Sequence, residues 1–554
     1  MMRARSLAIG VLLIVCAFSA GAQQLYLTDV LEPLFPDSNA TARFGQQYAS
    51  DVPLGAPADV HVLVQARAGE DLRVKAVLDG RPLPLACWSS LVDVPVEQNT
   101  GLDSRTEMFK GTRNPYVIRR APFRIFEAIR PLAAATVAAD SGYSALRLSI
   151  PARFFKKPGK HTIAVTVAGR SWTKRGTFTA RVHDATIPPL GQSTFFYTNW
   201  FNTQQMEKRH GLTRWTPAWF NMLDRYAALM AAGRQNCINV PGEVMTATDS
   251  GVALDDARLI AFIDVFRKHG FTYFESPHLM YRGEKDDWGD PILTVSLTGH
   301  RYDTPEGKKD VAAIAALIRD FIARHGLQQG WLQHISDEPS AVQAQCYKDV
   351  VHAVRAIAPD IRVMEATTDR DTLAGAVDYW CPTIDDFQQN EQFFRGRERL
   401  GEKVLVYTCL VPGGPWLNRL LDQERLRLVY FGWGAAHYNT TGYLHWGLNQ
   451  YLVDDPYTQS VVHHPSPVAT PENFLPAGDS HIIYPGPDGP LSSTRFEAFR
   501  LGVEDREMLR MLAHKDPAAA AAVIARVFRS YTDYTTDVAV YRAARKALLE
   551  AVER

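Results

Sequence analysis

With 554 residues the chain exceeds the usual size of one domain, and two or more hydrophobic cores are expected. A hydrophobic content of 46% with 22% charged residues excludes both a disordered chain and a membrane-embedded bundle. Lys plus Arg equals Asp plus Glu at 60 each, so no overall basic field gathers nucleic acid, and a neutral partner such as a sugar suits the balance.

Residues 1–22 differ from the rest. Arg3 and Arg5 precede the apolar run Leu7 to Phe18, and Ala20-Gly21-Ala22 supplies small residues before Gln23, the pattern of a secretory signal peptide. The run is shorter than the ~20 residues that span a bilayer, so a periplasmic or secreted mature protein is expected. Cleavage would leave Cys87, Cys237, Cys346, Cys381 and Cys409, an odd set with no CxxC pair. Neither a zinc site nor a redox dithiol is indicated, and buried apolar thiols are expected.

Residues 23–188 carry short runs of period two, VHVLVQA at 60–66, LRVKAVLDG at 72–80, ALRLSIPA at 145–152 and HTIAVTVAG at 161–169, separated by turn residues. They predict an N-terminal β-sandwich. The aromatics Trp88, Phe109, Tyr116 and Phe123 are read mainly as core. DATIPPLGQ at 184–192 reads as a boundary linker.

From 189 to 500 strands and helices alternate. Strands are expected at 193–200, 236–241, 272–279, 330–337, 361–367, 377–383, 403–411 and 441–449, with helices such as 219–232, 255–268, 310–324 and 342–358 ending at Gly or Pro. Eight strands with crossover helices predict a (β/α)8 barrel of the TIM type, and the absence of GxGxxG after the first strand disfavours a doubly wound sheet. A short hairpin turning near 488 and a helical segment, 501–554, close the chain.

The stretch WLQHISDEPS, 331–340, organises the whole. An apolar strand stops at two adjacent carboxylates, Asp337 and Glu338, and Pro339 cannot continue the ladder. In a β/α barrel such a strand end faces the active-site mouth. Ser340 is better placed than Asp337 to cap the following helix, which leaves the acid pair free for chemistry. Consecutive strand side chains point to opposite faces, so the pair cannot easily bracket a sugar as two separated carboxylates do; an irregular strand end could still aim both into one cleft. Glu275 and Glu365 keep open a mechanism with a second carboxylate as nucleophile. Aromatics at other strand ends, Trp200, Tyr379, Trp380, Tyr407, Trp433, Tyr443 and Trp446, are split between sugar-stacking surfaces and core. His334 and His445 are expected in structural hydrogen-bond networks. No HxxxH or HxH spacing concentrates metal ligands, so no metal or cofactor is expected.

The SDEP strand end, the strand YLHWGLNQY with the following DDPY, and the run GDSHIIYPGPDGPLSSTRFEAFRLGVEDREML together resemble glycoside hydrolase family 123 and its wider group of relatives. The resemblance implies an exo-acting β-N-acetylgalactosaminidase in which the substrate's own acetamido group is the nucleophile. It implies Glu338 as general acid/base and Asp337 as the residue orienting the acetamido group. Substrate contacts are then expected from Tyr407, Trp446, Trp380, Trp200, Asn449 and Glu275, with a glycan or glycoconjugate as partner. A retaining glycosidase of other specificity and a non-catalytic glycan-binding protein are the alternatives.

Overall fold

The computed structural model describes residues 23–38, 45–103, 105–249 and 251–554. The expected signal peptide, 1–22, lies outside the described residues. Among the described residues no helix is long and apolar enough to cross a membrane.

Two β-sheets form the N-terminal part. One orders Gln24–Thr28, Ala58–Gln65, Tyr143–Ile150, Trp88–Val96 and Phe123–Pro131; the other orders Gln47–Leu54, Thr173–Thr186, Gly159–Ala168, Asp71–Leu78 and Arg81–Pro82. Alternation does what the sequence promised: in Asp71–Leu78 the residues Leu72, Val74, Ala76 and Leu78 turn inward and Asp71, Arg73 and Lys75 outward. With Val60, Val62, Leu146, Leu148, Ile163, Val165 and Phe178 they share one core between the sheets. Trp88 belongs to it, whereas Tyr116 is exposed.

The following part is mixed α/β, and its strands are shorter than the sequence runs. Phe196–Asn199, Cys237–Asn239, Tyr273–Glu275, Trp331–Leu332, Met364–Thr367, Tyr379–Pro382, the two pieces Lys403–Val404 and Val406–Tyr407, and Gly442–His445 fall within the eight expected stretches. Parallel pairing links Cys237–Asn239 to Tyr273–Glu275 to Trp331–Leu332. A parallel bridge Gln333 to Val363 carries the order on to Met364–Thr367, Tyr379–Pro382 and Lys403–Val404. Val406–Tyr407 pairs with Gly442–His445, which pairs with Phe196–Asn199. The Asn236 amide then donates to the Tyr197 carbonyl at 3.3 Å, so the adjacency returns to its start. After Trp331–Leu332 the ladder ends early because the chain bends away and a side chain replaces the strand partner. Glu365 accepts from the amides of Ile335 and Ser336, beyond the strand that was expected to reach 337.

The helices Pro217–Ala232, Asp256–Lys268, Pro305–His325, Ala344–Ile357 and Leu426–Tyr438 pack around these strands, with Thr216, Asp255 and Thr304 as N-caps. The hairpin Tyr484–Gly486 with Gly489–Leu491 turns at 487–488 as expected. The division at 500/501 falls inside one helix, Thr494–Lys515, so the last helices are continuous with the α/β part. This helix crosses Leu426–Tyr438 closely, and a Cβ on Gly432 would lie 1.9 Å from the Gly502 carbonyl oxygen.

The 184–192 stretch is not a free linker. The strand Thr173–Thr186 runs into it, and the buried Ile187 donates its amide to Leu54. Buried ions also tie the sandwich to the rest. Glu127 accepts from Arg495 at 2.6 Å and Arg425 at 3.2 Å, Asp59 from Arg500 at 2.9 Å, and Asp422 from Thr100 at 2.7 Å.

Candidate active site

A pocket of about 250 Å³ opens at the C-terminal ends of the parallel strands, with Asp337, Glu338, Tyr407, Trp200, Trp446 and His464 in its wall. Both carboxylates reach one pocket because the strand is over by Gln333 and residues 336–338 form a bend. Glu338 takes φ +45, in the left-handed region, which undoes the alternation that would have sent neighbours to opposite faces. Arg282 braces this bend by donating to the Asp337 carbonyl at 2.7 Å.

The Tyr407 hydroxyl donates to Glu338 Oε1 at 2.5 Å. Burial, then the neighbouring Asp337 charge, pushes Glu338 up to about 7, with the Tyr407 bond opposing. Burial and the Glu338 charge hold the Tyr407 hydroxyl well above its ordinary range, so it stays a donor. Glu338 is thus a carboxylic acid that keeps its proton near neutrality, beside an aspartate whose side chain is 45% exposed.

Beneath the pocket lies a buried charged row. His334 faces Glu365 through Nδ1 and Glu275 through Nε2, each at 3.0 Å. Burial alone would lower the imidazole, but the hydrogen bonds and charges of the two glutamates raise it to about 10. Glu365 resists its own burial and is held at about 2 by His278 and His334, and Tyr347 donates to it at 3.1 Å. Glu275 accepts from Trp200 Nε1 at 2.8 Å and from Cys237 at 3.0 Å, and it too is lowered in spite of burial. Trp200 therefore enters the pocket wall on a fixed tether, edge-on to His278 and His334. His278 Nε2 lies 3.4 Å from Glu365 and 3.8 Å from Asp337.

Of the expected contacts, Asp337, Glu338, Tyr407, Trp446 and Trp200 come together. Glu275 and Glu365 lie behind the wall with their oxygens already bonded. Trp380 is wholly buried elsewhere, donating to Glu402 at 2.5 Å and packed on Phe393, because its side of the strand faces the helices. Asn449 is buried in a reciprocal clamp with the Asn202 backbone, while its neighbour Gln450 reaches the wall. Trp433 and Tyr443 are core.

Sequence reading missed Asp479, Arg282 and Gln450, and reached His464 only together with His463 as a metal ligand. Asp479 accepts from Trp446 Nε1 at 3.4 Å, and burial raises it to about 7. Its signal was present, since it stands inside the quoted GDSHIIYPG run. His445, which faces Asp479 at 3.4 Å, is held neutral first by burial. The five thiols are free and buried.

Among the described residues His278, His334 and Glu365 bring metal-ligating atoms within 4.8 Å of one another. They do not fit a metal. Both ring nitrogens of His334 are engaged by carboxylates, and an imidazolium has no lone pair to give.

Residues 261–512 match the family model for the glycoside hydrolase 123 catalytic domain. No curated protein sequence matches the chain. A family 123 glycoside hydrolase from Clostridium perfringens that hydrolyses glycolipid glycans superposes with TM-score 0.69 at 11% identity, over 96% of this chain and 97% of that one. An endo-β-1,4-mannanase from Thermotoga petrophila (TM-score 0.35, 10% identity, 58% and 78% of the two chains) and a β-glucuronidase from Bacteroides uniformis (0.31, 9%, 81% and 50%) are similar only at a level that supports no argument. The fold is therefore shared with the clostridial enzyme along nearly the whole length, and the residues that match the glycoside hydrolase 123 catalytic-domain model, 261–512, hold the acid pair.

Proposed function

We propose that the protein is an exo-acting glycosidase that releases a terminal β-linked 2-acetamido sugar, N-acetylgalactosamine in the first instance, with retention and with the substrate's acetamido oxygen as nucleophile. The observation that carries this reading is the placement of the carboxylates. Asp337 and Glu338 are the carboxylates in the pocket wall, side by side, and the nearby Glu275 and Glu365 are buried with hydrogen bonds on both oxygens. A wall with one acid patch has no opposed carboxylate to attack the anomeric carbon, so the nucleophile comes from the sugar.

In this reading Glu338 gives its proton to the departing oxygen as the acetamido oxygen closes on C1. Asp337 accepts the acetamido N–H and stabilises the charge that grows on the oxazolinium ring. Glu338, now ionised, takes a proton from the water that opens the ring. Trp200 and Trp446, fixed by Glu275 and Asp479, offer faces for the pyranose. The strand adjacency that returns to its start supports a (β/α)8 barrel as the frame, and the 1–22 pattern supports export to the periplasm or beyond. The clostridial relative's action on glycolipid glycans makes a glycoconjugate the natural class of substrate.

The test compares aryl 2-acetamido-2-deoxy-β-galactoside, the gluco analogue and the plain β-galactoside. Turnover of 2-acetamido substrates, negligible cleavage of the galactoside and tight inhibition by a thiazoline mimic are expected. A glycosyl ester trapped on Asp337, Glu275 or Glu365 with a 2-fluoro sugar would sink the mechanism, and absence of turnover on all three would leave a glycan-binding protein.

A further inference from the structure

The loop after Tyr273–Glu275 carries an aromatic ring that the chemistry above does not use. Trp288 is 40% exposed, the tryptophan left most open in the chain. The Arg282 guanidinium lies 3.8 Å from its ring centroid and covers one face. The other face has no stacking partner among the described residues.

This ring is tied to both sides of the acid pair. Arg282 donates to the Asp337 carbonyl at 2.7 Å and to Asp286 at 2.8 Å, and its charge and that of Asp286 are felt by Glu338. The Trp288 carbonyl accepts from the buried Gln343 at 2.8 Å, and Gln343 also accepts from the Ser340 hydroxyl, two residues beyond Glu338. An exposed indole normally gains by burial. Here its backbone is pinned and its orientation set by a cation on one face, so the open face is a prepared surface and no ordering is needed when it is covered.

We propose that the open face of Trp288 is the leaving-group subsite, stacking on the pyranose ring of the hexose that carries the terminal sugar. The inference rests on the glycosidase reading. A general acid at Glu338 protonates the oxygen that joins the two sugars, so the second ring leaves past the acid pair, and Arg282, bonded to the Asp337 and Glu338 carbonyls and stacked on Trp288, brings the indole beside that bend. A flat apolar face recognises a pyranose without fixing its hydroxyl pattern, which gives this subsite breadth among hexose leaving groups.

The experiment measures kcat/KM of wild type, Trp288→Ala and Trp288→Phe on two substrates, the β-linked 2-acetamido sugar joined to lactose and its trifluoroethyl glycoside, whose leaving group cannot stack. Trp288→Ala should lose about fivefold to tenfold on the trisaccharide and little on the trifluoroethyl glycoside, with Trp288→Phe recovering most of the loss. Equal losses on both would show that Trp288 acts by steadying Arg282 and would overturn the subsite, as would no loss on either. If wild type cleaves neither, the glycosidase reading fails. Saturation-transfer NMR with lactose then decides this one: transfer that Trp288→Ala abolishes supports the subsite, and its absence in wild type overturns it.

Discussion

In the proposed mechanism one proton on Glu338 decides activity and one hydroxyl tunes it. The Tyr407 hydroxyl bonds to the ionised acid more strongly than to the neutral one, so it holds the raised carboxyl down against burial and Asp337. Tyr407→Phe should therefore move the alkaline limb of kcat/KM from near 7 to higher pH, and a limb that stays or falls would contradict this role. Glu338→Gln should cost about 10²–10⁴ in kcat on poor leaving groups and less on activated aryl ones, read by comparing the two. The same substitution bears on stability. A carboxyl raised above its ordinary value contributes stability that is complete in acid and is lost as pH rises through about 7, so Glu338→Gln should melt higher than wild type on the alkaline side. The acid pair was legible because an apolar run ends on it before a proline. Trp380 and Asn449 misled because a residue next to a strand end can face outward to helices or fold back onto a loop, and alternation alone does not say which when strands are only two to four residues long.

At the scale of the element, strand ends are built from buried charge. Glu365 on Met364–Thr367 fixes the amides of Ile335 and Ser336 and holds His334, which in turn fixes Glu275 and hence Trp200. Glu365→Gln should cost about 3–5 kcal/mol in urea unfolding, because it leaves His334 a buried cation with one partner, and should lower kcat without touching substrate. The signs give a window. Glu365, depressed to about 2 from 4.5, stabilises fully above 4.5 and loses this as pH falls; His334, raised to about 10 from 6.5, stabilises fully below 6.5 and loses this as pH rises through 10. Wild type should thus lose melting temperature faster than Glu365→Gln between pH 4.5 and 2. The order of strands and helices was legible from periodicity and from Gly and Pro stops. The early ending of Trp331–Leu332 was not, because it depends on a glutamate some thirty residues away in sequence replacing a ladder partner.

For the whole molecule, the sandwich is part of the catalytic half's stability. The buried Glu127 pairs with the buried Arg425 and Arg495, and the partly buried Asp59 meets the buried Arg500. Removing residues 23–188 leaves Arg425 and Arg495 without their shared carboxylate, and Arg500 with Glu497 and Glu504 but not Asp59, so a chain beginning near 190 should be insoluble or lack a cooperative melt. Glu127→Ala in the intact chain should cost about 3–5 kcal/mol. A soluble, cooperatively melting fragment would show that the two halves are independent. Composition and alternation disclosed two parts. Their dependence on each other was hidden, because ion pairs between residues hundreds of positions apart leave no local pattern.

The left-handed backbone at Glu338 inverts a familiar ranking. Alanine normally outranks glycine because glycine has more freedom to lose, yet a Cβ at positive φ carries about 1–2 kcal/mol of steric penalty. Both replacements abolish the acid, so they can be compared for stability alone: Glu338→Gly should melt above Glu338→Ala, and the opposite order would remove the strain. In the proposed mechanism the general acid thus occupies a place the chain would rather give to glycine, and selection for turnover would work there against selection for a more stable fold.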